Sequence, residues 1–561
     1  MAPNDLRARP ADVDVLIIGG GVNGTGVARD LAMRGLSVEV IEKHDLAFGA
    51  SGNSSGMIHG GVRYLSSHPE VTKSSCRDSG YIQSIAPHLL FRIPFLMPIP
   101  RGGGAQKIFM TLVDAFFRAY DDYQPLKHGK PHTRLTPDEL MALEPGLVGD
   151  VIGGITFDEW GIDGSRLCTL NALDALAHGG RIRTHTEVIE ISRASEKPGA
   201  RVSGVKWRNV LTHEVGSTTA RVVVNATGAW GPITGARGGV PVKVRPTKGI
   251  HVVFDRRLSN YAIAAKAIDG RQVFVEPWQN VSILGTTDDD YYGDLDDVRP
   301  TADEARYLIQ AVAAIFPAIR RARAIGIYTG VRPSLFEWGK GEDDVSREHA
   351  IVDHGDEKRG GVPGLYSMVG GKLASYRAFA EEMTDVVASV LKNGERCRTH
   401  VAKLPGGEQA PDANALADQL VIAPVAARRI VYRHGARVRE IAERIARNED
   451  EARVVCACEP VLEAEVRLAV REELAMTVDD VARRTRLGLG ACGGMRCALR
   501  CGQIVAQETG ITQQQGRAQA IRFLTRQRVY RAPALGPEQA RQEALAIAHL
   551  AAQVGEDGTE R

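Results

Sequence analysis

Glycine, basic and cysteine residues stand in this chain at spacings that suit ligand binding and redox chemistry. Gly19, Gly21 and Gly24 follow the apolar, β-branched run Val13 to Ile18 in G-x-G-x-x-G spacing. Each glycine has its own job there: a tight turn, close backbone approach to a pyrophosphate, and close packing of helix on strand. The helix after them, with Ala28, Leu31 and Ala32 at helical spacing, brings free N–H groups and a positive dipole end to phosphates. A second strand, Ser37 to Ile41, leads to Glu42, whose carboxylate is placed to accept hydrogen bonds from an adenosine ribose. A glycine-rich turn of an unrelated α/β protein would explain Glu42 only by chance. The stretch therefore predicts a dinucleotide site.

Basic residues and histidines recur beside further glycines. Ala47 to Leu65 (AFGASGNSSGMIHGGVRYL) is too small and polar to build a core. It can wrap a cofactor with backbone N–H groups and the hydroxyls of Ser51, Ser54 and Ser55, and it carries His59 and Arg63. Arg332 lies in IYTGVRPS and Arg347 in REHAIVDH. LYSMVGGKLASYRAFAEEM reads as strand, glycine turn and helix, with Gly370, Gly371 and Leu373 around Lys372 at the helix N-terminus. Val222 to Asn225 is a buried strand ending in ATGAWG, where Thr227 and Gly228 let backbone approach a ligand again. Val188, in a strand spanning Arg181 to Ile191, is placed to lie against an adenine.

Cys456-Ala-Cys458 is followed, after thirty-three residues, by Cys492-Gly-Gly-Met-Arg-Cys497. Two helical stretches lie between. The second opens at Thr477 with Asp480 three residues on, a capping-box pattern. Two cysteine pairs brought together by a helical hairpin make a four-thiolate site, suited to an iron–sulfur cluster or to structural zinc. C-x-C is uncommon in zinc knuckles, which favours the cluster. Cys501 is a spare ligand, and Cys76, Cys168 and Cys397 read as ordinary buried cysteines.

These residues need elements to hold them, and composition limits what those are. A chain of 561 residues exceeds one hydrophobic core and predicts two to four domains. A net charge of +2 argues against a dedicated nucleic-acid binder. No run approaches eighteen apolar residues, and MAPNDLRARP lacks the apolar core of a secretory signal. The expectation is a cytoplasmic protein, where disulfides are rare. Residues 66 to 150 carry no sharp signal, proline-rich FRIPFLMPIP included. Lys243 to Gly293 (GIHVVF, RQVFVEPW, VSILGTTD) is β-rich, an open sheet able to roof a site. Lys403 to Asp412 is a linker by composition, and the chain beyond it is mostly helical.

IIGGGVNGTGVARDLAMRGLSVEVIEKHD, IHGGVRYL, NATGAWG, FVEPW, LGTTD, TGVRP and GGKLASYR together resemble the FAD-dependent glycerol-3-phosphate dehydrogenases, in order and at suitable separations over about residues 11 to 407. The segment beyond Val454 resembles the anaerobic branch of that family and its large A-type subunit. The resemblance implies an α/β fold: an FAD-binding Rossmann-like domain of the glycine/D-amino-acid oxidase type, an interleaved β-rich substrate cap, and a helical C-terminal region with a small cysteine-ligated module. The expected boundaries are 11–402 for the oxidoreductase domain, with FAD-binding parts at about 11–100, 150–242 and 345–395 and a cap at about 243–344. A linker (403–412), a helical region (413–450), a bacterioferritin-associated-ferredoxin-like [2Fe–2S] module (451–510) and a helical basic tail (511–561) complete the chain.

The implied reaction is oxidation of sn-glycerol 3-phosphate to dihydroxyacetone phosphate, with electrons passing from flavin, and a [2Fe–2S] cluster, to quinone directly or through partner subunits. The implied place is the cytoplasmic face of the inner membrane. Arg332 and Arg347 resemble the family's substrate-binding segments, since arginine's planar fork suits a phosphate. Arg63 and Lys372 are expected beside the flavin ring, and their positive charge would stabilise its reduced form. For the hydroxyl proton, His59 is the first candidate base and His251, in KGIHVVF, the second. Cys456, Cys458, Cys492 and Cys497 are the expected cluster ligands. Arg517, Arg522, Arg526, Arg528 and Arg531, close to Phe523, Leu524, Val529 and Tyr530, could meet anionic lipid or an acidic partner, or be a solvated helix face. Three rivals remain: an oxidase using oxygen, a related FAD-dependent 2-hydroxy- or amino-acid oxidoreductase, and a protein that keeps FAD without turnover.

Overall fold

The computed structural model describes residues 11–66, 68–101, 106–336 and 349–554. Its first sheet is built on strand Val13–Ile18, which pairs in parallel with Val38–Ile41 on one side and Val215–Asn225 on the other. Leu365–Gly370 adds in parallel to Val215–Asn225, and His349–Asp353 closes that edge antiparallel. A mostly parallel sheet buries both faces, and the first strand obeys. Val15 and Ile17 pack with Val27 and Leu31 of helix Val22–Met33 and with Phe379 and Met383 of helix Tyr376–Leu391. Leu16 and Ile18 turn the other way, towards Val223 and Trp207.

The G-x-G-x-x-G turn fits the reasons for its glycines. Gly19 has a φ of +112°, and a Cβ on Gly24 would stand 2.0 Å from the Gly19 carbonyl oxygen. The strand expected from Arg181 to Ile191 is two strands, Arg181–Arg183 and Thr186–Arg193, broken at His185, whose φ is +50°. A left-handed non-glycine residue turns the chain sharply. No pattern of side-chain types marks it.

The second sheet is the cap, and it draws on more of the chain than 243–344. Val244–Phe254, Ala262–Lys266, Gln272–Trp278, Val281–Gly285 and Ala324–Leu335 belong to it. So do Leu90–Pro100, Thr133–Leu135 and Val151–Ile162, with Ala262–Lys266 pairing in parallel to Leu90–Pro100. The prolines of FRIPFLMPIP do not exclude the segment from a sheet, because every residue from Leu90 to Ile99 has a partner in register on Val151–Ile162.

Lys403 to Asp412 is not a free linker. Leu404 is fully buried beside Ile85 and Leu89, its N–H donates to the Ile85 carbonyl, and Gly406 accepts from Ala436 N–H. Beyond it, helices from Ala413–Leu420 to Pro537–Val554 share two cores. The basic segment is helix Gln513–Arg531, but Phe523, Leu524 and Arg531 are buried. Arg531 donates to the carbonyls of Gly490 and Ala491 and to Glu543. Phe523 and Leu524, two of the four apolar residues expected at a lipid surface, therefore belong to the helical core, while Val529 and Tyr530 are half-buried.

Candidate active site

A cavity of about 1070 Å³ runs between the two sheets. At one end it is lined by Gly19, Gly21, Glu42, Ser51, Ser54, Val188, Thr227 and Gly228, and further in by Gly370, Gly371 and Leu373. All of the expected cofactor residues line it except Gly24, which sits behind the turn and serves packing. Glu42 is fixed at the strand end, accepting from Gly20 N–H at 2.6 Å and His44 N–H at 2.8 Å. Ser51 Oγ accepts from Val22 N–H at 3.0 Å, on the first turn of helix Val22–Met33. Gly228 has a φ of +58°, so backbone rather than side chain faces the cavity there.

At the other end the cavity is lined by His59, Tyr64, His251, Arg332 and Lys372. Arg347 lies outside the described residues, as does the side chain of Arg63. His251 is buried between strands, with Nε2 2.9 Å from Ser55 Oγ and its ring stacked on Tyr328 (centroids 4.7 Å apart, 11° between planes). Burial and the Arg332 guanidinium bring its pKa down to about 3, so the imidazole is neutral at physiological pH. Arg332 Nη1 donates to Asp288 Oδ1 at 2.6 Å and Nη2 to Thr286 Oγ1 at 3.2 Å. Lys372 Nζ stands 3.9 Å from the centre of the Tyr64 ring, a cation–π contact. Glu276, on the cap strand Gln272–Trp278, is fully buried and among the described residues neither of its oxygens has a hydrogen-bond partner, so burial pushes its pKa well above the usual carboxylate range.

Sequence reasoning missed Arg271, Thr286 and Asp288, which also line this end. All three lie in quoted segments (RQVFVEPW and LGTTD), and the charged member of each was the signal to follow. Ser55, whose hydroxyl the sequence assigns to wrapping a cofactor, has His251 as its partner.

None of the four expected ligand cysteines lines the cavity. They sit in the C-terminal core, two by two. Cys456 shares a hydrogen bond with Cys497, which lowers the pKa of its thiol while raising that of Cys497. Cys458 is raised by burial and lies in hydrogen-bond reach of Cys492. Burial pushes Cys501 well up. Among the described residues no group of three or more His, Cys, Asp or Glu is arranged around a single ion. Cys76 and Cys168 are buried, as expected, and Cys397 is half-buried.

Comparison with known proteins agrees with the geometry. Residues 14–386 match the FAD dependent oxidoreductase family and residues 397–516 match the C-terminal domain of alpha-glycerophosphate oxidase. The chain is 32% identical over 524 residues to the A-type subunit of the anaerobic glycerol-3-phosphate dehydrogenase of Escherichia coli, covering 91% of each. Its fold matches a glycerol-3-phosphate dehydrogenase from Bacillus halodurans complexed with FAD (TM-score 0.72, 23% identity, 93% of this chain and 96% of that one). It also matches a glycine oxidase from Bacillus cereus (TM-score 0.50, 20% identity, 68% and 96%). The chain therefore belongs to the FAD-dependent oxidoreductases, and within them to the glycerol-3-phosphate dehydrogenase family.

Proposed function

We propose that this chain oxidises sn-glycerol 3-phosphate to dihydroxyacetone phosphate. The observation that carries the reading is one cavity with a dinucleotide turn at one end and neutral His251, Arg332 and Lys372 at the other. The residues present suit FAD: Gly19, Gly21 and Gly228 would offer backbone and Glu42 would accept from a ribose, all on one cavity of about 1070 Å³. Thr227, Val188, Ser51, Ser54, Gly370, Gly371 and Leu373 would complete its bed. FAD, when bound, supplies a two-electron acceptor for hydride.

Arg332 holds the substrate phosphate, its fork being already oriented by Asp288 and Thr286; Arg347 keeps the substrate-binding role that its motif implies. Lys372, set over Tyr64, places a positive charge beside the reacting carbon. His251 Nε2 takes the hydroxyl proton, exchanging Ser55 for substrate, as the carbon–hydrogen bond pair leaves as hydride and a carbonyl forms. Burial is the larger reason the imidazole stays neutral; a phosphate dianion on Arg332 relieves only the smaller, repulsive part. His59, lining the same end, is the alternative base.

Cys456, Cys458, Cys492 and Cys497 would hold a [2Fe–2S] cluster, which supplies one-electron transfer. The two thiol pairs, Cys456 with Cys497 and Cys458 with Cys492, are the donors that would take it. The physiological acceptor is a quinone or a partner protein of the inner membrane; the naming of the Escherichia coli relative as one subunit of its enzyme supports a partner. The match to an oxidase C-terminal domain favours a second reading, in which oxygen is the acceptor.

Anaerobic titration of the purified protein tests the first reading. Glycerol 3-phosphate should bleach the flavin absorbance stoichiometrically, and glycerol should not. No bleaching would overturn it. Hydrogen peroxide formed one-for-one with product in air would select the oxidase.

A further inference from the structure

Helix Val478–Thr485 lies between the cysteine pairs in sequence, yet three of its charged residues, Asp480, Arg483 and Arg484, pair with residues of the first sheet's loops. Arg484 and Asp45 are fully buried and paired by two hydrogen bonds, at 2.6 and 2.8 Å. Arg483 Nε reaches the same carboxylate at 2.8 Å, and its Nη2 donates to Asp480 at 2.8 Å. Asp480 in turn lies 2.8 Å from His185 Nε2. One helix thus grips two separate parts of the first sheet through a continuous buried ion cluster.

Those two parts are the walls of the cofactor end. Asp45 is three residues beyond Glu42, and Ala47 N–H donates to the Gly20 carbonyl within the glycine turn. His185 is the left-handed residue that breaks the strand before Val188. Its N–H donates to the His44 carbonyl, and Thr186 N–H donates to the Glu42 carbonyl. A backbone conformation that costs energy persists only where surroundings over-determine it, and Asp480 provides that restraint on His185.

We propose that helix Val478–Thr485 is a positioning element for the dinucleotide site, holding through Arg483, Arg484 and Asp480 the two segments that carry Glu42 and Val188. The C-terminal region is then a part of the FAD site without touching FAD. This rests on the reading that FAD fills the cavity.

The test is the rate at which FAD fluorescence appears when holoenzyme is diluted. Asp45→Asn and Arg484→Met should each release FAD at least about tenfold faster, since the first leaves Arg484 buried without its carboxylate and the second leaves Asp45 with Arg483 alone. The double variant should be no worse than Asp45→Asn alone, because the pair that Arg484→Met breaks is already lost there. Should these variants fail to fold, His185→Gln, which keeps a neutral hydrogen bond to Asp480, is the milder case, with release about threefold faster. Glu508→Gln is the control: it breaks the pairs with Arg467 and Arg471 in the same C-terminal region, and release should not change. Unchanged release in folded Asp45→Asn overturns the proposal. Equal acceleration in Glu508→Gln also overturns it, by reducing the effect to general stability. Protein purified with no FAD at all would instead overturn the reading beneath it.

Discussion

Arg332 shows how one side chain can be both restrained and available. Asp288 and Thr286 fix its plane, yet it lines the cavity and keeps donors for a dianion. Arg332→Ala should raise KM for glycerol 3-phosphate by about 100-fold, the loss of a charge-assisted pair worth about 3 kcal/mol. Any residual turnover of unphosphorylated glycerol should hardly change. Steady-state kinetics on both substrates decide it: equal losses would assign Arg332 to structure or to flavin. Glu42→Ala should weaken FAD binding by about 1.5–3 kcal/mol, measured by fluorescence titration. The removed carboxylate also satisfies Gly20 and His44 N–H, so part of the loss comes from a loosened glycine turn.

At the scale of elements, the segment from Lys403 to Asp412 is the sharpest departure from composition. Leu404 fills a core between helix Pro69–Ile85 and the start of the cap sheet. Leu404→Ala should therefore cost about 2–5 kcal/mol of stability, read as a lowered denaturation midpoint, where a true linker would show almost none. The pair His185–Asp480 adds a pH dependence. Burial works against the His185 charge, but the hydrogen bond to Asp480 and the carboxylates of Asp480 and Asp45 outweigh it and Arg483, leaving its pKa above the ordinary 6.5. The stabilisation is complete below 6.5 and is lost as pH rises through the raised value. Retention of FAD should decline on the alkaline side, and Asp480→Asn should flatten that decline.

The dinucleotide turn, its helix and the residues of the cofactor end were legible because each rests on local chemistry: glycines where backbone must approach, an acid at a strand end. The extent of the cap was not, since FRIPFLMPIP becomes a strand only by pairing with Val151–Ile162, and prolines mask that locally. His185 carries no turn signature, and Leu404 is one apolar residue among glycines and prolines. Asp288 and Arg271 were visible as residues but not as neighbours of Arg332, because that proximity comes from the cap sheet as a whole.

Over the whole molecule, the four expected cluster ligands lie outside the lining of the cavity. Cys458→Ser should remove iron and acid-labile sulfide, slow turnover with the natural acceptor, and leave single-turnover reduction of FAD-saturated enzyme nearly intact. Metal analysis and rapid-mixing absorbance together check it, and one zinc with no sulfide would make the site a structural clip. The cap sheet has another consequence, in the order of synthesis. Strand Leu90–Pro100 takes Ala262–Lys266 as a parallel neighbour, a partner made about 165 residues later. At cellular elongation rates that interval is on the order of ten seconds, during which an apolar strand edge leaves the ribosome without its mate. Non-local pairing of this kind slows folding and invites aggregation. Slower translation between residues 100 and 260 should therefore lower the soluble yield unless a chaperone shields that edge.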